Sequence, residues 1–170
     1  SGPESLARAH ELRHEYDAIM IGAPTAALDD PLLTDRSGLA RRRPLIRVVL
    51  GRQSVLSPES QLAKSASEEA PVLILEGDLS SVLKELADRS LQSVLIEGGS
   101  GIAGKFIDAG LVNKVTFFVA PKLVGGTAAP NAIGGMGVEK MVDALELDRV
   151  QVVPRGKDLE ISGYPRYAKG

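Results

Sequence analysis

VLIEGGSGIAG, residues 94–104, joins a short apolar run to a glycine-rich turn and the start of a helical pattern. Residues 94–96 are typical of a buried strand, and apolar residues recur at helical spacing over residues 102–109. A strand, a glycine turn and a helix together favour phosphate binding, because glycine lets the backbone come close and the free N–H groups of the helix start point at the anion. A strict G-x-G-x-x-G pattern is present, but alone it is equally compatible with a tight turn that binds nothing; its glycines are Gly99, Gly101 and Gly104.

The composition predicts one compact domain and excludes several classes of protein. The 170 residues are 44% hydrophobic, which is enough for a sizeable core. A net charge of -2 and an aromatic content of 4% provide neither the basic surface nor the stacking residues of a nucleic-acid-binding protein. The lack of cysteine removes disulfides and thiolate metal sites, and no apolar run reaches the length of a membrane span. We therefore expect a soluble, cytoplasmic protein.

Strand-like and helix-like segments alternate through most of the chain. Strands are predicted at residues 17–22, 45–50, 71–76, 94–96 and 114–120, and helices at residues 1–16, 80–90 and 102–109, the first capped by Ser1 or Ser5. Residues 145–153 and 159–163 predict a closing antiparallel pair. This order favours an α/β fold with a mostly parallel central sheet, flanking helices and an antiparallel C-terminal hairpin at its edge.

Polar residues follow the predicted strand at residues 17–22. Ligands of parallel sheets bind beyond the carboxyl ends of the strands, and the loops after residues 22, 50 and 96 share that edge. Residues 23–36 predict a long loop in which Thr25, Asp29 and Arg36 are able to converge on a polar ligand. From spacing alone, the simpler interpretation is a turn fixed by Pro31 with solvated charges.

The first predicted helix contains HELRH, residues 10–14, which fits the H-E-x-x-H pattern of zinc metalloproteases. The chain has only two histidines, so a third ligand would be a carboxylate elsewhere. The motif also precedes every strand that would build a cleft. We therefore favour two surface histidines on a polar helix face and expect no metal site. The basic run at residues 41–43 is interpreted as a solvated loop.

Residues 17–36, DAIMIGAPTAALDDPLLTDR, resemble the DAI strand and the D-D-P-x-L-T-x-R loop of the riboflavin-biosynthesis reductases. Residues 94–104 resemble the V-L-x-E-G-G segment of that family, and residues 120–126 and 134–137 resemble its later loops in the same order. The resemblance covers nearly the whole chain. It implies a dihydrofolate-reductase-like fold and an NADPH-dependent enzyme that reduces the ribosyl group of 5-amino-6-(5-phosphoribosylamino)uracil to a ribityl group.

The resemblance also implies roles for individual residues. Glu97 and Asp29 would act in catalysis, and the substrate site would be lined by Arg13, Leu33, Arg36 and Glu97. The dinucleotide would be held by Thr25, Asp29, Gly98, Gly99, Ser100, Gly101, Ile102 and Gly104. Arg52 lies just past the end of a predicted strand, and we expect it to bind the 2′-phosphate that distinguishes NADPH from NADH.

Two features depart from the family pattern. The family opens with a strand followed by a Trp near the cofactor, and this chain has no Trp; we expect that strand to lie upstream of Ser1. Pro24 stands where the family has glycine, and proline neither adopts a positive φ nor donates an N–H. The substitution bears directly on the expected cofactor contact at Thr25.

The family also implies partners. Its bacterial members usually carry a zinc deaminase upstream, whose cysteine-containing signature is absent from these residues. The chain is then either the reductase part of a longer protein or a stand-alone reductase, and a homodimer is expected by resemblance. Two alternatives remain open: a related dihydrofolate-reductase-like enzyme with another substrate, and a degenerate nucleotide-binding or dimerisation module.

Overall fold

The computed structural model describes residues 1–167, which form five α-helices and seven β-strands. In chain order they are α1 (Pro3–Glu15), β1 (Ala18–Gly22), α2 (Ala23–Asp29), β2 (Ile46–Leu50), α3 (Gln61–Lys64), β3 (Val72–Leu75), α4 (Leu79–Asp88), β4 (Val94–Ile96), α5 (Ser100–Asp108), β5 (Val115–Val119), β6 (Leu147–Arg155) and β7 (Asp158–Pro165). The predicted α/β class is confirmed. Among these described residues, no helix has the length and apolar character needed to cross a membrane.

The first four strands form a parallel sheet in the order β3-β2-β1-β4. Strand β1 lies inside it, with Ala18 paired to Ile46 of β2 on one side and to Val94 of β4 on the other. The first four residues of β1 are buried. Its continuous apolar sequence is explained by helices and loops covering both faces of the strand. The predicted parallel sheet is confirmed.

Strand β5 does not extend that sheet. It pairs antiparallel with β7, from Val115 opposite Gly163 to Val119 opposite Leu159, and β7 pairs with β6. The sequence predicts the hairpin at the edge of one central sheet, whereas the structure has a separate three-stranded sheet in the order β5-β7-β6. The difference arises because β7 offers β5 an unbroken antiparallel ladder along the whole length of β5.

The side chains of β1 divide the core into two clusters. Successive strand residues point to opposite faces of the sheet, so Ala18 and Met20 pack against α4 and α5. Ile19 and Ile21 pack in a second cluster on the other face. That second cluster also contains Ala26, Leu33, Leu45, Val49 and Leu62.

Helix α1 is anchored to the second sheet. Gly2 is its N-cap and no side chain of its own caps it, so the predicted cap by Ser1 or Ser5 is wrong. Instead, the Gly2 N–H and the buried Ser5 hydroxyl donate to the Asp158 carboxylate of β7, at 2.6 and 2.7 Å. A distant strand thus supplies the acceptor that a helix start requires, and α1 bridges the two sheets.

Residues 23–29 form α2 instead of the first part of a long loop. Pro24 lies in the first turn of α2, where its missing N–H has no intrahelical partner to lose and its fixed φ suits the helix. The helix ends at Asp30, which has a φ of +40°. The Asp30 carboxylate accepts the Gln61 N–H at 2.9 Å and so fixes the start of α3.

Candidate active site

The carboxyl ends of β1, β2 and β4 lie side by side, as the sequence predicts. Gly22 at the end of β1 pairs with Leu50 of β2, and Met20 pairs with Ile96 of β4. The Glu97 N–H continues this ladder by donating to the Met20 carbonyl at 2.9 Å. The loops that follow these strands therefore share one rim, and the backbone of Glu97 is fixed on it.

Glu97 forms a bidentate ion pair with Arg13 of α1. Arg13 Nε donates to Glu97 Oε1 at 2.9 Å, and Nη2 donates to Oε2 at 2.7 Å. The two side chains are 18% and 26% exposed. Arg13 Nη1 also donates to the Thr34 carbonyl at 3.0 Å. Fork-shaped pairing of this kind fixes direction as well as distance, so the structure joins two predicted site residues in one oriented unit.

The two histidines of α1 are half-buried and hydrogen-bonded to the loop after α2. His10 Nδ1 lies 3.1 Å from the Thr34 carbonyl, and His14 Nδ1 lies 2.9 Å from Asp35 Oδ2. The expectation of surface histidines is therefore wrong, because both rings are half-buried and hold residues 34–35 of that loop against α1. Within residues 1–167, no group of three or more His, Asp or Glu side chains is placed to hold a metal ion.

Arg41 is a structural residue of this site and not a solvated one. Its guanidinium donates to the Tyr16 carbonyl at 2.7 Å and to the His14 carbonyl at 3.0 Å, and it lies 3.3 Å from Asp35 Oδ2. Burial by itself raises the pKa of the Asp35 carboxyl, but hydrogen bonds from Ser37, His14 and Arg41 outweigh it and lower that pKa to about 2. The Asp35 carboxylate thus stays negative and ties the loop to the end of α1.

Thr34, Asp35 and Arg41 are the site-supporting residues that the sequence did not reveal. The i, i+4 spacing of His10 and His14 was a signal for one common partner, which proves to be the Thr34–Asp35 segment. No pattern in the run at residues 41–43 distinguishes Arg41 from its neighbours.

The glycine turn after Glu97 contacts the start of α2 through Thr25. The Gly99 N–H donates to Thr25 Oγ1 at 3.2 Å. Gly98 has a φ of +104°, and a Cβ added there would lie 3.2 Å from the Thr25 side chain. Both the backbone conformation and the space favour glycine. Two segments that the family resemblance assigns to the cofactor are therefore in direct contact.

Helix α5 starts with an open first turn. Gly99 is its N-cap and no side chain caps it. The first N–H groups of a helix have no intrahelical partner, and the aligned peptide dipoles favour an anion beside them. A Cβ added at Gly101 would meet nothing within 4 Å, so there is free space beside this residue. The residues present therefore fit a phosphate of a dinucleotide, with Ile102 offering only its backbone because its side chain lies in the core.

Gly104 has a packing reason of its own. It is buried one turn further into α5, where an added Cβ would overlap the backbone of Gly134 and Gly135. The Gly134 N–H donates to the Ser100 carbonyl at 2.9 Å. The loop between β5 and β6 thus crosses the start of α5, and a cofactor contact at Gly104 stays a prediction.

The remaining predicted residues belong neither to the Arg13–Glu97 pair nor to the contact between Thr25 and the glycine turn. Asp29 and Arg36 are exposed, and Arg52 is an exposed side chain at 3.6 Å from Glu76. Leu33 is buried in the second core cluster with a φ of +52°. Within the described part of the chain, none of these four side chains hydrogen-bonds to Glu97; their site roles stay predictions.

Comparison with known proteins assigns this chain to a family. Residues 1–160 match the family described as the RibD C-terminal domain. The 2,5-diamino-6-ribosylamino-4(3H)-pyrimidinone 5′-phosphate reductase of Methanothermobacter thermautotrophicus is 34% identical over 182 residues, covering 94% of this chain and 84% of that protein. The riboflavin biosynthesis protein RibD of Synechocystis is 36% identical over 177 residues, covering 91% of this chain and 48% of that protein.

Solved structures show the same fold. Acinetobacter baumannii RibD superposes with a TM-score of 0.81 at 20% identity, covering 98% of this chain and 51% of that one. A deaminase/5-amino-6-(5-phosphoribosylamino)uracil reductase of Thermotoga maritima gives 0.78 at 26% identity, covering 94% and 48%. The predicted dihydrofolate-reductase-like fold is confirmed. The chain spans about half the length of most of the curated relatives that it matches. It belongs to the family of RibD C-terminal domains.

Proposed function

We propose that this chain is a reductase of riboflavin biosynthesis, which uses NADPH to convert the ribosyl group of 5-amino-6-(5-phosphoribosylamino)uracil into a ribityl group. The carrying observation is the Arg13–Glu97 pair, which holds a carboxylate on the rim that also carries the open start of α5. In this arrangement one group stabilises positive charge in a substrate and the other binds a phosphate of a dinucleotide. The family supports the same activity, since its relatives are named as reductases of this pathway.

The chemistry needs a negative group beside a carbon that becomes positive. When the bond between C1′ and the ring oxygen breaks, the oxygen takes a proton and the exocyclic nitrogen forms an iminium with C1′. The Glu97 carboxylate stabilises that charge, and a fixed carboxylate does so without reorganising. NADPH supplies the hydride that adds to C1′. Arg13 acts through Glu97 by holding its two oxygens in place.

Arg36 is our candidate for binding the 5′-phosphate of the substrate. Its Nε donates to the Thr34 hydroxyl at 3.0 Å, which orients the exposed guanidinium beside the segment that Arg13 holds. Guanidinium groups bind phosphate through two parallel hydrogen bonds. Leu33 anchors the same loop by burying its side chain in the core.

The dinucleotide is proposed to lie along the glycine turn. The first N–H groups of α5 bind a phosphate, and Thr25 and Asp29 on α2 contact the rest of the cofactor. Arg52 selects NADPH over NADH by binding the 2′-phosphate. Its present partner Glu76 is 3.6 Å away and both side chains are exposed, so this pair is weak and a phosphate dianion replaces it readily.

A second substrate is favoured by one observation. This chain covers 84% of the Methanothermobacter thermautotrophicus relative, which is named for 2,5-diamino-6-ribosylamino-4(3H)-pyrimidinone 5′-phosphate. The two substrates share the ribosylamino group and the 5′-phosphate, so Glu97 and Arg36 serve both. Steady-state assays with each compound separate the two candidates, because the true substrate gives the higher kcat/KM.

Three further proposals concern partners and place. The chain is proposed to act in the cytoplasm. Its full-length protein is proposed to carry a deaminase domain, because the Thermotoga maritima relative is named as a deaminase and reductase.

The chain is also proposed to form a homodimer through β6, an edge strand with exposed Val150, Val152 and Val153. Open apolar edges favour pairing with a second chain. Val152→Lys is expected to shift the dimer to monomer in sedimentation velocity, and an unchanged dimer would exclude this edge.

The proposed function is tested with Glu97→Gln in the full-length protein. Removing the charge while keeping the shape is expected to lower kcat by about a hundredfold or more, the usual effect of losing a preorganised electrostatic contact. Glu59→Gln is the matched control, because Glu59 is exposed and pairs with Lys64 at the surface. Unchanged turnover in Glu97→Gln would refute the role of Glu97. A degenerate module would show no substrate-dependent NADPH oxidation in any variant.

A further inference from the structure

Residues 34–36 join the two halves of the proposed substrate site. The Thr34 carbonyl accepts Arg13 Nη1 at 3.0 Å, and the same guanidinium holds both carboxylate oxygens of Glu97. Two residues later, Arg36 Nε donates to the Thr34 hydroxyl at 3.0 Å. The placement of this segment therefore affects both the carboxylate of the site and the guanidinium that we assign to the 5′-phosphate.

His10 of α1 meets this segment at two points through a single atom. Its Nδ1 lies 3.1 Å from the Thr34 carbonyl oxygen, and it also accepts the Arg36 backbone N–H at 3.3 Å. Nδ1 thus faces an acceptor and a donor together. Each nitrogen of a neutral imidazole is either a donor or an acceptor, so His10 serves only one of these two contacts at a time.

The backbone N–H of Arg36 decides between the two contacts. An amide nitrogen always carries its hydrogen, so a second hydrogen on His10 Nδ1 would oppose it across 3.3 Å. The Thr34 carbonyl does not depend on His10, because the charged Arg13 already donates to it and charge-assisted hydrogen bonds are the stronger ones. These contacts favour a bare Nδ1 and a hydrogen on Nε2, with the ring still lying against residues 34–36.

The bond from His10 fixes the main chain of an exposed residue. Arg36 is exposed, whereas His10 is half-buried on α1. The residue between the two contacts, Asp35, is held by His14 of the same helix at 2.9 Å. The Arg36 side chain therefore starts from a fixed backbone, and its bond to the Thr34 hydroxyl gives it a direction. A long side chain that is ordered in advance loses less conformational entropy when it binds its ligand.

We propose that His10 is a positioning residue for phosphate recognition. Its neutral imidazole accepts the Arg36 N–H through a bare Nδ1 and holds Arg36 where the guanidinium binds the 5′-phosphate of the substrate. The inference rests on the proposed function and divides the work of α1 between two residues. Arg13 acts on the Glu97 carboxylate and so on the reacting carbon, whereas His10 acts on the phosphate at the other end of the substrate.

Steady-state kinetics of the full-length protein with two substrates test this role. One is the phosphoribosylamino substrate, and the other is the same compound with a hydroxyl group in place of the 5′-phosphate. His10→Ala should raise KM for the phosphorylated compound by about tenfold, the effect of losing one hydrogen bond of ordinary strength. It should leave kcat for both compounds, and KM for the hydroxyl compound, within about twofold, because a lost binding contact raises KM alone. His10→Asn should restore KM, since its amide oxygen is able to replace Nδ1 as the acceptor.

Glu11→Gln is the matched control, because Glu11 is the next residue of α1, is exposed and pairs with Arg8 at 3.0 Å. An equal rise of KM for both compounds, or a lower kcat with both, would show that His10 supports the loop or the Arg13–Glu97 pair in general and would overturn the proposal. Unchanged kinetics in His10→Ala would also overturn it. No turnover by the unsubstituted protein would refute the proposed reaction itself and this role with it.

The state of Nδ1 is measurable without any substrate. Long-range proton–nitrogen NMR spectra of the full-length protein at neutral pH distinguish a bare ring nitrogen from one that carries hydrogen. The His10 signals are identified as those missing from His10→Asn. We expect a bare Nδ1 and a hydrogen on Nε2. A hydrogen on Nδ1 would assign the ring to the Thr34 carbonyl and overturn the proposal, whatever the protein's activity and whether or not His10→Ala folds.

Discussion

Two glycines of α5 give opposite predictions for the same substitution. Gly101 and Gly104 both lie in the helix, where replacing glycine by alanine gains about 0.5–1 kcal/mol of stability. A Cβ at Gly101 meets nothing within 4 Å, whereas one at Gly104 overlaps the backbone of Gly134 and Gly135. Restoring an ordinary contact of 3.4 Å would move that loop by about 1 Å.

The expected magnitudes follow from this geometry. Overpacking a close contact costs about 1–3 kcal/mol. The helical gain is common to both variants, so Gly104→Ala should be less stable than Gly101→Ala by about 1–3 kcal/mol. Gly101→Ala should also weaken NADPH binding by about tenfold, or 1.4 kcal/mol, because its methyl group obstructs the phosphate at the start of α5.

Urea unfolding followed by circular dichroism measures the first difference, and fluorescence titration measures the second. The unfolding slope should be the same in both variants, since the surface exposed on unfolding does not change. Equal stability of Gly104→Ala and Gly101→Ala would refute the packing role of Gly104. Unchanged NADPH affinity in Gly101→Ala would refute the phosphate site at α5.

Three further substitutions test the surroundings of the site. The folded pKa of Asp35 is about 2 against an ordinary 3.8, so the folded state binds fewer protons, and a stabilisation of up to about 2 kcal/mol is present above pH 3.8 and lost as the pH falls to 2. Asp35→Asn should abolish that part of the pH dependence in acid unfolding; an unchanged profile would contradict the assignment. Arg47→Met should destabilise the protein by about 3 kcal/mol in urea, because the buried Arg47 guanidinium donates to three loop carbonyls that methionine leaves unpaired; a loss below 1 kcal/mol would show that water or relaxation satisfies them. Gly98→Ala should cost about 1–2 kcal/mol, because alanine at a φ of +104° is strained and its Cβ crowds Thr25; thermal unfolding at equal or higher temperature would contradict this.

Local sequence patterns predicted the elements well and their long-range partners less well. The apolar run at residues 18–21 predicted a buried strand, since only a strand covered on both faces lacks a polar side. Residues 23–29 were predicted as the first part of a loop that Pro31 turns, whereas Pro24 suits the first turn of the helix that the structure has there. The partner of β5 was not predictable, because the pattern of a strand does not state which neighbour it pairs with.

In the site, too, local features were predictable from the sequence and long-range contacts were not. The glycine turn and Glu97 follow from residues adjacent in sequence, and their position at the end of a strand predicted the shared rim. The family resemblance placed Glu97 and Arg13 at one site but did not predict that they pair, because the two lie 84 positions apart and no periodicity connects them. The contacts of Arg41 that support the loop after α2 were not predictable, because its guanidinium binds backbone carbonyls, which every residue carries.

The most direct test of the proposed reductase is substrate-dependent oxidation of NADPH by the full-length protein, with the product identified by mass spectrometry. We expect NADPH to be consumed only with the phosphoribosylamino substrate, one ribityl product to form per NADPH, and NADH to support a much lower kcat/KM. No oxidation by a folded protein that binds NADPH would contradict the proposed reaction, and equal use of NADH would contradict the role of Arg52.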